Sequence, residues 1–159
     1  GDQVIPKITS NVSVMGGEPE ANPLKDWLAS HEHFLETLPA DALVLPAHNA
    51  PFHGLHARLR HLIEHHEEHL LALEEACVDA RPTAMELLPV LFKRKLDDSQ
   101  LGLALGECIA HLNYLHQRGQ LARELNASGQ YTYRSIDDTL HLRLRRHRSE
   151  LEDQPVLQV

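Results

Sequence analysis

The sequence is poor in cysteine, in long apolar runs and in basic residues. Its two cysteines, Cys77 and Cys108, match no CxxC metal or redox spacing, so we expect two buried, reduced thiols of an intracellular protein. No apolar run approaches the ~20 residues that cross a bilayer, and the N-terminus lacks a signal-peptide pattern, so we predict a cytoplasmic protein without membrane contact. Acidic residues outnumber basic ones by 23 to 15, for a net charge of −8, which argues against non-specific binding to nucleic-acid phosphates.

The composition is that of a folded globular protein, and the sequence divides into four stretches. Apolar residues make up 42% and charged residues 24% of the 159 positions, a balance that excludes wholesale disorder and low-complexity classes. The distribution of proline, glycine and apolar residues predicts a loop-rich region, a long connecting helix, a second small domain and a polar tail, at residues 1–54, 55–80, 81–138 and 139–159.

The loop-rich region contains the pattern of one helix and one strand. A helix is predicted over residues 24–38, because Asn22 can accept a hydrogen bond at its N-cap and Pro23 suits the first helical position. The short apolar run at 42–45 lies between two prolines, which is typical of a buried strand that follows a helix. We therefore expect an αβ unit in this part of the chain.

The rest of the chain follows the order of a winged helix. Apolar residues at helical spacing predict a long helix over 55–80, and a capping box of Thr83 and Glu86 begins a short helix over 84–92. A third helix and two strands around a turn signal are predicted at 99–118, 120–125 and 131–135. The succession of long helix, short helix, long helix and hairpin predicts a winged helix within residues 81–138.

Histidine is unusually frequent, with 13 residues, which raises the question of a metal site. His61, His65 and His69 recur every fourth residue and so share one helix face. A single helical row does not supply the converging ligands and water position of a catalytic zinc site, so we interpret it as a solvated face. His31 and His33 are two residues apart on a predicted helix, point to different sides, and are expected at the surface.

A more specific pair of candidate ligands lies at the two ends of the loop-rich region. Asp2 precedes the apolar step Val4-Ile5, and His48 follows the predicted strand at 42–45. Aspartate and histidine are ligand types that suit a first-row metal ion. On spacing alone, a packed or capping role for this histidine remains the alternative.

Three segments lie in the loop-rich region and at its border, at residues 1–14, 45–48 and 51–56. They resemble the later part of the metallo-β-lactamase-fold hydrolases. The subgroup they resemble carries a C-terminal winged helix and includes glyoxalase-II-like proteins and the β-lactamase-like endoribonuclease of mammals. The resemblance implies an α+β, mostly helical fold, namely the C-terminal fragment of an αββα sandwich followed by a winged-helix domain. The stretch from residues 85–94 to residues 111–115 resembles the winged helix of this subgroup, and the resemblance as a whole spans about residues 1–135.

The resemblance also implies roles for individual residues. In this family an aspartate preceded by glycine bridges two zinc ions and a late histidine binds the second ion, and these roles fall on Asp2 and His48. The zinc ions activate water for attack on an ester, thioester or phosphodiester. Asn11 and Ser13, in the loop after the aspartate, are weak candidates for contact with substrate, and the substrate itself stays open.

The family's HxHxDH motif is absent from this sequence. The only HxH is His31-Glu-His33, which lacks the Asp-His that should follow and lies on the wrong side of Asp2. We therefore expect a C-terminal piece of a larger enzyme that is inactive alone, because two ligands do not define a tetrahedral site. Its expected partners are the missing N-terminal half of the domain or, through the apolar surface left exposed, a second copy.

The alternative function is a winged-helix module that binds nucleic acid or protein without catalysis. Its recognition helix would be residues 99–118, whose only basic residue is Arg118, so phosphate contacts would be few. Basic residues instead cluster at 93–95 and 143–148, where RNA contact is conceivable but a solvated charge run is the simpler interpretation. We therefore expect the winged helix to act as a scaffold for the catalytic domain.

Overall fold

Four helices and one β-hairpin make up the computed structural model of the protein, which describes residues 2–137 and 139–140. The described part of the chain is thus a mostly helical α+β fold. The elements, in chain order, are α1 Pro23–Thr37, α2 Leu55–Ala76, α3 Ala84–Leu91, α4 Asp98–Gln117, β1 Leu121–Leu125 and β2 Tyr131–Ser135.

The helix boundaries follow from local capping chemistry. The side chain of Asn22 accepts from the backbone N–H of Lys25 at the start of α1, which confirms the predicted N-cap. The capping box of Thr83 and Glu86 at α3 is likewise confirmed. The structure adds a second capping box at Asp97, which starts α4 one residue before the predicted position. Helix α2 is shorter than predicted and ends at Ala76.

The predicted strand at 42–45 is wrong. The structure holds only an isolated antiparallel bridge between Val44 and Phe52, with backbone N–O distances of 2.9 and 3.1 Å. Leu43 and Leu45 are 55% and 73% exposed, whereas Val44 packs inward. A continuous apolar run forms a fully buried strand only where both faces are covered, and the described residues cover one face.

The two strands form an antiparallel hairpin, which is hydrogen-bonded to the segment that follows α2. Leu121 pairs with Ser135 and Leu125 with Tyr131, and the turn between the strands places Gly129 at φ +73°. An isolated bridge joins Thr83 to the hairpin at Thr132, and the backbone N–H of Tyr133 donates to the carbonyl of Pro82 at 3.0 Å. The helices and the hairpin therefore form one packed unit.

The core lies where the helices meet, and it is built mainly from leucine. Cys77 and Cys108 are fully buried there as free thiols, as predicted. Burying each leucine contributes roughly 1.5–3 kcal/mol. None of the described helices is both long and apolar enough to cross a bilayer. The largest fully buried apolar side chains are Leu24, Leu59, Leu62, Leu73, Leu87, Leu112, Leu115 and Leu121.

Candidate metal centre

The structure brings Asp2 and His48 together from two separate loops. His48 Nε2 lies 3.4 Å from Asp2 Oδ1. Both side chains face solvent, with the histidine 70% and the aspartate 56% exposed. A ligand in solvent can therefore reach both side chains, and the two atoms that face each other are one nitrogen and one carboxylate oxygen.

Hydrogen bonds to backbone carbonyls hold the two loops in place. Arg58, in the first turns of α2, donates from Nε to the carbonyl of Ile5 and from Nη2 to that of Ile8, both at 2.7 Å. The hydroxyl of Ser10 donates to the carbonyl of Asp2 itself. Because these bonds fix the main chain rather than the carboxylate, the Asp2 side chain stays available for a ligand.

The loop that carries His48 is held in the same way, by neighbouring histidines. His53 Nδ1 lies 3.0 Å from the carbonyl oxygen of Asp41, and His56 Nε2 lies 2.8 Å from that of Leu38. A carbonyl only accepts, so each of these nitrogens carries a proton and donates it. These two histidines therefore close the loop, while His48 stands at its exposed end.

Asp2 and His48 fit a metal ion in donor type and in proximity, but they are too few to complete a site. Three protein ligands and a water are usual for catalytic zinc. Within residues 2–137 and 139–140, no group of three or more His, Cys, Asp or Glu side chains is placed to hold a metal ion. The described residues thus place two candidate ligands together and supply no third.

Asn11 and Ser13 connect the N-terminal loop to α4. Asn11 Nδ2 donates to Glu107 Oε2 at 2.9 Å, and Ser13 Oγ donates to the carbonyl of Leu103 at 3.1 Å. The backbone N–H of Val14 donates to the carbonyl of Gly106 at 3.0 Å. Both candidate substrate contacts therefore have hydrogen-bond partners within the fold, although each also lines a surface cleft with Gln3 and Trp27.

Burial of the histidines differs from the sequence-based expectation. His31 is fully buried, so its predicted surface position is wrong, whereas His33 is exposed as expected. In the row on α2, His61 is exposed but His65 and His69 are half-buried, so only part of the row forms a solvated face. The reason is that α2 packs against both α1 and α4, and two neighbours bury a wider arc than one apolar stripe.

A histidine cluster with a fully buried centre and a half-buried margin occupies the junction of α1, α2 and α4, and sequence reasoning missed it. We define the cluster as His31 of α1, His65, His66 and His69 of α2, and His111 of α4. The ring centroids of His66 and His111 lie 5.1 Å apart, and those of His69 and His111 lie 5.8 Å apart. The available signal was the place of His66 on the apolar face of α2, among leucines.

Burial makes these imidazoles poor bases. It lowers the pKa of His66 to about 2, with neighbouring imidazoles adding to the effect. It lowers the pKa of His69 and of His111 to about 4, and lowers that of His31 and His65 below the ordinary value. Burial also raises the pKa of the Glu107 carboxyl to about 7, although the hydrogen bond from Asn11 opposes the rise.

Comparisons with known proteins agree with this architecture. Residues 70–136 match the family described as "Metallo-beta-lactamase-like, C-terminal domain". The structure is similar to a β-lactamase domain protein from Burkholderia ambifaria, at 41% identity and a TM-score of 0.82, over 85% of this chain and 40% of that chain. It is also similar to a metallo-β-lactamase family protein from Thermus thermophilus, at 31% identity and a TM-score of 0.69, over 84% of this chain and 40% of that chain. A search of curated proteins found no match.

These findings define the class of the C-terminal part of the chain. Residues 70–136 form a metallo-β-lactamase-like C-terminal domain. The chain spans about 40% of the length of the two solved relatives, so it is similar to part of each of them.

Proposed function

We propose that this chain is the C-terminal portion of a zinc-dependent hydrolase of the metallo-β-lactamase superfamily, with Asp2 and His48 as metal ligands. The observation that carries the proposal is their apposition, since Asp2 Oδ1 and His48 Nε2 come from separate loops and lie 3.4 Å apart. Similarity to metallo-β-lactamase family proteins over about 85% of the chain supports the superfamily. The two buried free thiols fit a reducing compartment such as the cytoplasm.

The role of this chain is to present two ligands on a fixed scaffold. A bound zinc pair would supply Lewis acidity toward an ester, thioester or phosphodiester. Asp2 and His48 would bind and orient that pair, and Arg58 would hold the Asp2 loop against α2 through the carbonyls of Ile5 and Ile8. The remaining ligands would come from a part of the protein outside this chain, so we expect the chain alone to be inactive.

Exposed apolar residues in the loop-rich region are candidates for the surface on which the rest of the domain would pack. Ile8, Leu43 and Leu45 are 67%, 55% and 73% exposed, and all three lie in the region that carries Asp2 and His48. Apolar groups of this size are ordinarily covered when they lie together. Without that cover we expect the chain to self-associate, and sedimentation at high concentration would show this as a dimer or larger species.

A second candidate function is binding of RNA or protein through the C-terminal helices and hairpin. The observation in its favour is three consecutive exposed cations, Lys93, Arg94 and Lys95, between α3 and α4. Against it, Arg94 already donates to the Gln100 side chain at 2.5 Å, and Arg123 of the hairpin pairs with Glu20 at 2.7 Å, so neither guanidinium is free of competing contacts. A gel shift with single-stranded RNA that disappears when residues 93–95 become alanine would favour this function; the basic run at 143–148 lies outside the described residues.

Hydrolysis by the longest protein that contains this chain tests the main proposal. The substrates are a chromogenic ester, a thioester and a phosphodiester, each assayed with zinc present. Asp2→Asn and His48→Gln should each lower turnover of the accepted substrate by at least about 100-fold, because a ligand is lost. His33→Gln, which alters an exposed histidine away from the pair, is the control. Full activity in both ligand variants would overturn the proposal.

A further inference from the structure

The hydrogen bonds of the histidine cluster fix its imidazoles in the neutral form. His111 Nδ1 lies 2.8 Å from the backbone carbonyl oxygen of Glu107, which only accepts, so Nδ1 carries the proton. Nε2 of neutral His111 is then an acceptor, and it receives the hydrogen bond from His66 Nδ1 at 3.0 Å. His31 Nδ1 donates in the same way to the carbonyl of Trp27 at 2.8 Å. Each of these three rings, His31, His66 and His111, therefore uses the one proton of its neutral form in a hydrogen bond.

An additional proton would find no acceptor in this arrangement. His31 Nε2 and His66 Nε2 are buried and have no hydrogen-bond partner among the described residues. A proton on His111 Nε2 would face the N–H of His66 at 3.0 Å and break the bond between the two rings. A charged imidazole at any of these positions would thus be desolvated without compensation, which strongly destabilises a packed interior.

The groups that face the cluster do not neutralise such a charge. The titratable groups that act on His66 and His69 are other imidazoles of the cluster, and protonated imidazoles repel one another. Glu107 of α4 directs its carboxyl oxygen to Asn11 of the N-terminal loop. Glu68 favours and Arg58 disfavours the charged form of His65 at the cluster's edge. None of the ion pairs among the described residues includes a cluster histidine.

We infer that the histidine cluster is an acid-sensitive lock, which opens the junction of α1, α2 and α4 when its imidazoles take up protons at mildly acidic pH. The locked state needs neutral rings, whereas a separated junction exposes them to water, where they protonate freely. Opening is therefore favoured as pH falls below the ordinary histidine pKa of about 6.5. The inference is independent of the proposed metal-dependent activity, since it concerns side chains that are not metal ligands.

The direction and steepness of the response follow from proton linkage. Near pH 5.5 His66, His69 and His111 together bind almost three more protons in the open state, since burial lowers each pKa in the closed state. Glu107 opposes this with nearly one proton, because burial raises its pKa in the closed state to about 7. The net uptake of about two protons raises the opening equilibrium constant roughly 100-fold per pH unit.

Trp27 provides an internal reporter, because it is the only tryptophan in the sequence. Its ring stacks on His31 with centroids 3.6 Å apart and meets His66 edge-on at 4.7 Å. We would record its fluorescence in urea at a series of pH values from 7.5 to 4 and derive the opening equilibrium constant at each pH. We expect a reversible red shift of the emission as pH falls, with the opening equilibrium constant rising roughly 100-fold per pH unit. No opening above pH 4, or a slope of about 10-fold per unit or less, would overturn the inference.

Variants assign the response to the cluster rather than to histidine in general. His66→Leu combined with His111→Leu removes two titrating rings and keeps the sites apolar, so the slope should fall to about 10-fold per unit or below. If that double variant does not fold, His69→Leu at the cluster's margin is the substitute. It removes one titrating ring, so the change in the opening equilibrium constant should fall from roughly 100-fold to about 10-fold per pH unit. Exposed His33 serves as the control, and its leucine variant should keep the wild-type profile. Wild-type slopes in the cluster variants would refute the lock.

Discussion

The N-terminal loop packs directly against α4 at Gly106, and adding one methyl group there is a sharp test of the fold. A Cβ atom at Gly106 would lie 2.9 Å from Ser13 Cβ and 2.9 Å from the carbonyl oxygen of Val14. These distances are shorter than van der Waals contact, and one of the atoms is backbone. Gly106→Ala therefore requires the loop at residues 11–14 to move away from the helix.

The magnitude can be worked from two opposing effects. Replacing glycine by alanine inside a helix stabilises it by about 0.5–1 kcal/mol when space is available. At Gly106 the overpacking costs about 1–3 kcal/mol. The displaced loop also loses the bond from Val14 N–H to the Gly106 carbonyl, which contributes about 1 kcal/mol. We expect a net loss of about 1–3 kcal/mol in the free energy of unfolding.

The same helix supplies a matched control. A Cβ atom at Gly102 would meet no other atom within 4 Å, so Gly102→Ala should stabilise the protein by about 0.5–1 kcal/mol. Urea unfolding followed by circular dichroism and Trp27 fluorescence measures both variants. The two substitutions should change stability in opposite directions. Equal or greater stability of Gly106→Ala relative to wild type would refute the docking of the N-terminal loop on α4.

Two further predictions concern buried titratable groups. Folding raises the pKa of Glu107 to about 7, so the contribution of this carboxyl to stability is present at low pH and is lost as pH rises from about 4.5 through 7. Glu107→Gln should therefore stabilise the protein at pH 8 by up to about 3 kcal/mol, as measured by urea unfolding. The same substitution should stabilise it much less at pH 5. Burial raises the pKa of Cys77 and of Cys108 to about 12, so both thiols should resist alkylation at pH 8 until urea unfolds the chain; rapid labelling of the native protein would contradict this.

Local signals were sufficient to predict most helices. The caps at Asn22 and Thr83 act through side chains and backbone groups three residues apart, so the sequence contains all of the information they need. The apolar run at 42–45 could not be assigned in this way. Whether this run forms a strand depends on which distant segments pair with it and cover it. Among the described residues, its backbone pairing is a single bridge between Val44 and Phe52.

The histidines show the same limit more clearly. His31 and His66 have the same chemistry as exposed His33 and His61, and only the packing of α1 across α2 and α4 separates the two pairs. A polar residue becomes part of a core when its neutral form can be hydrogen-bonded internally. For His66 the acceptor is His111 of another helix, a contact that the periodicity of α2 alone does not reveal. The pairing of Asp2 with His48 was likewise expected from a family resemblance and not from spacing.

Metal content is the most direct test of the central claim that Asp2 and His48 are ligands. Zinc per chain is measured by elemental analysis after gel filtration of the longest protein that contains this chain. The wild type and the His33→Gln control should both retain stoichiometric zinc, while Asp2→Asn and His48→Gln should lose at least half of it while remaining folded. Retention of full zinc content by both ligand variants would contradict the account.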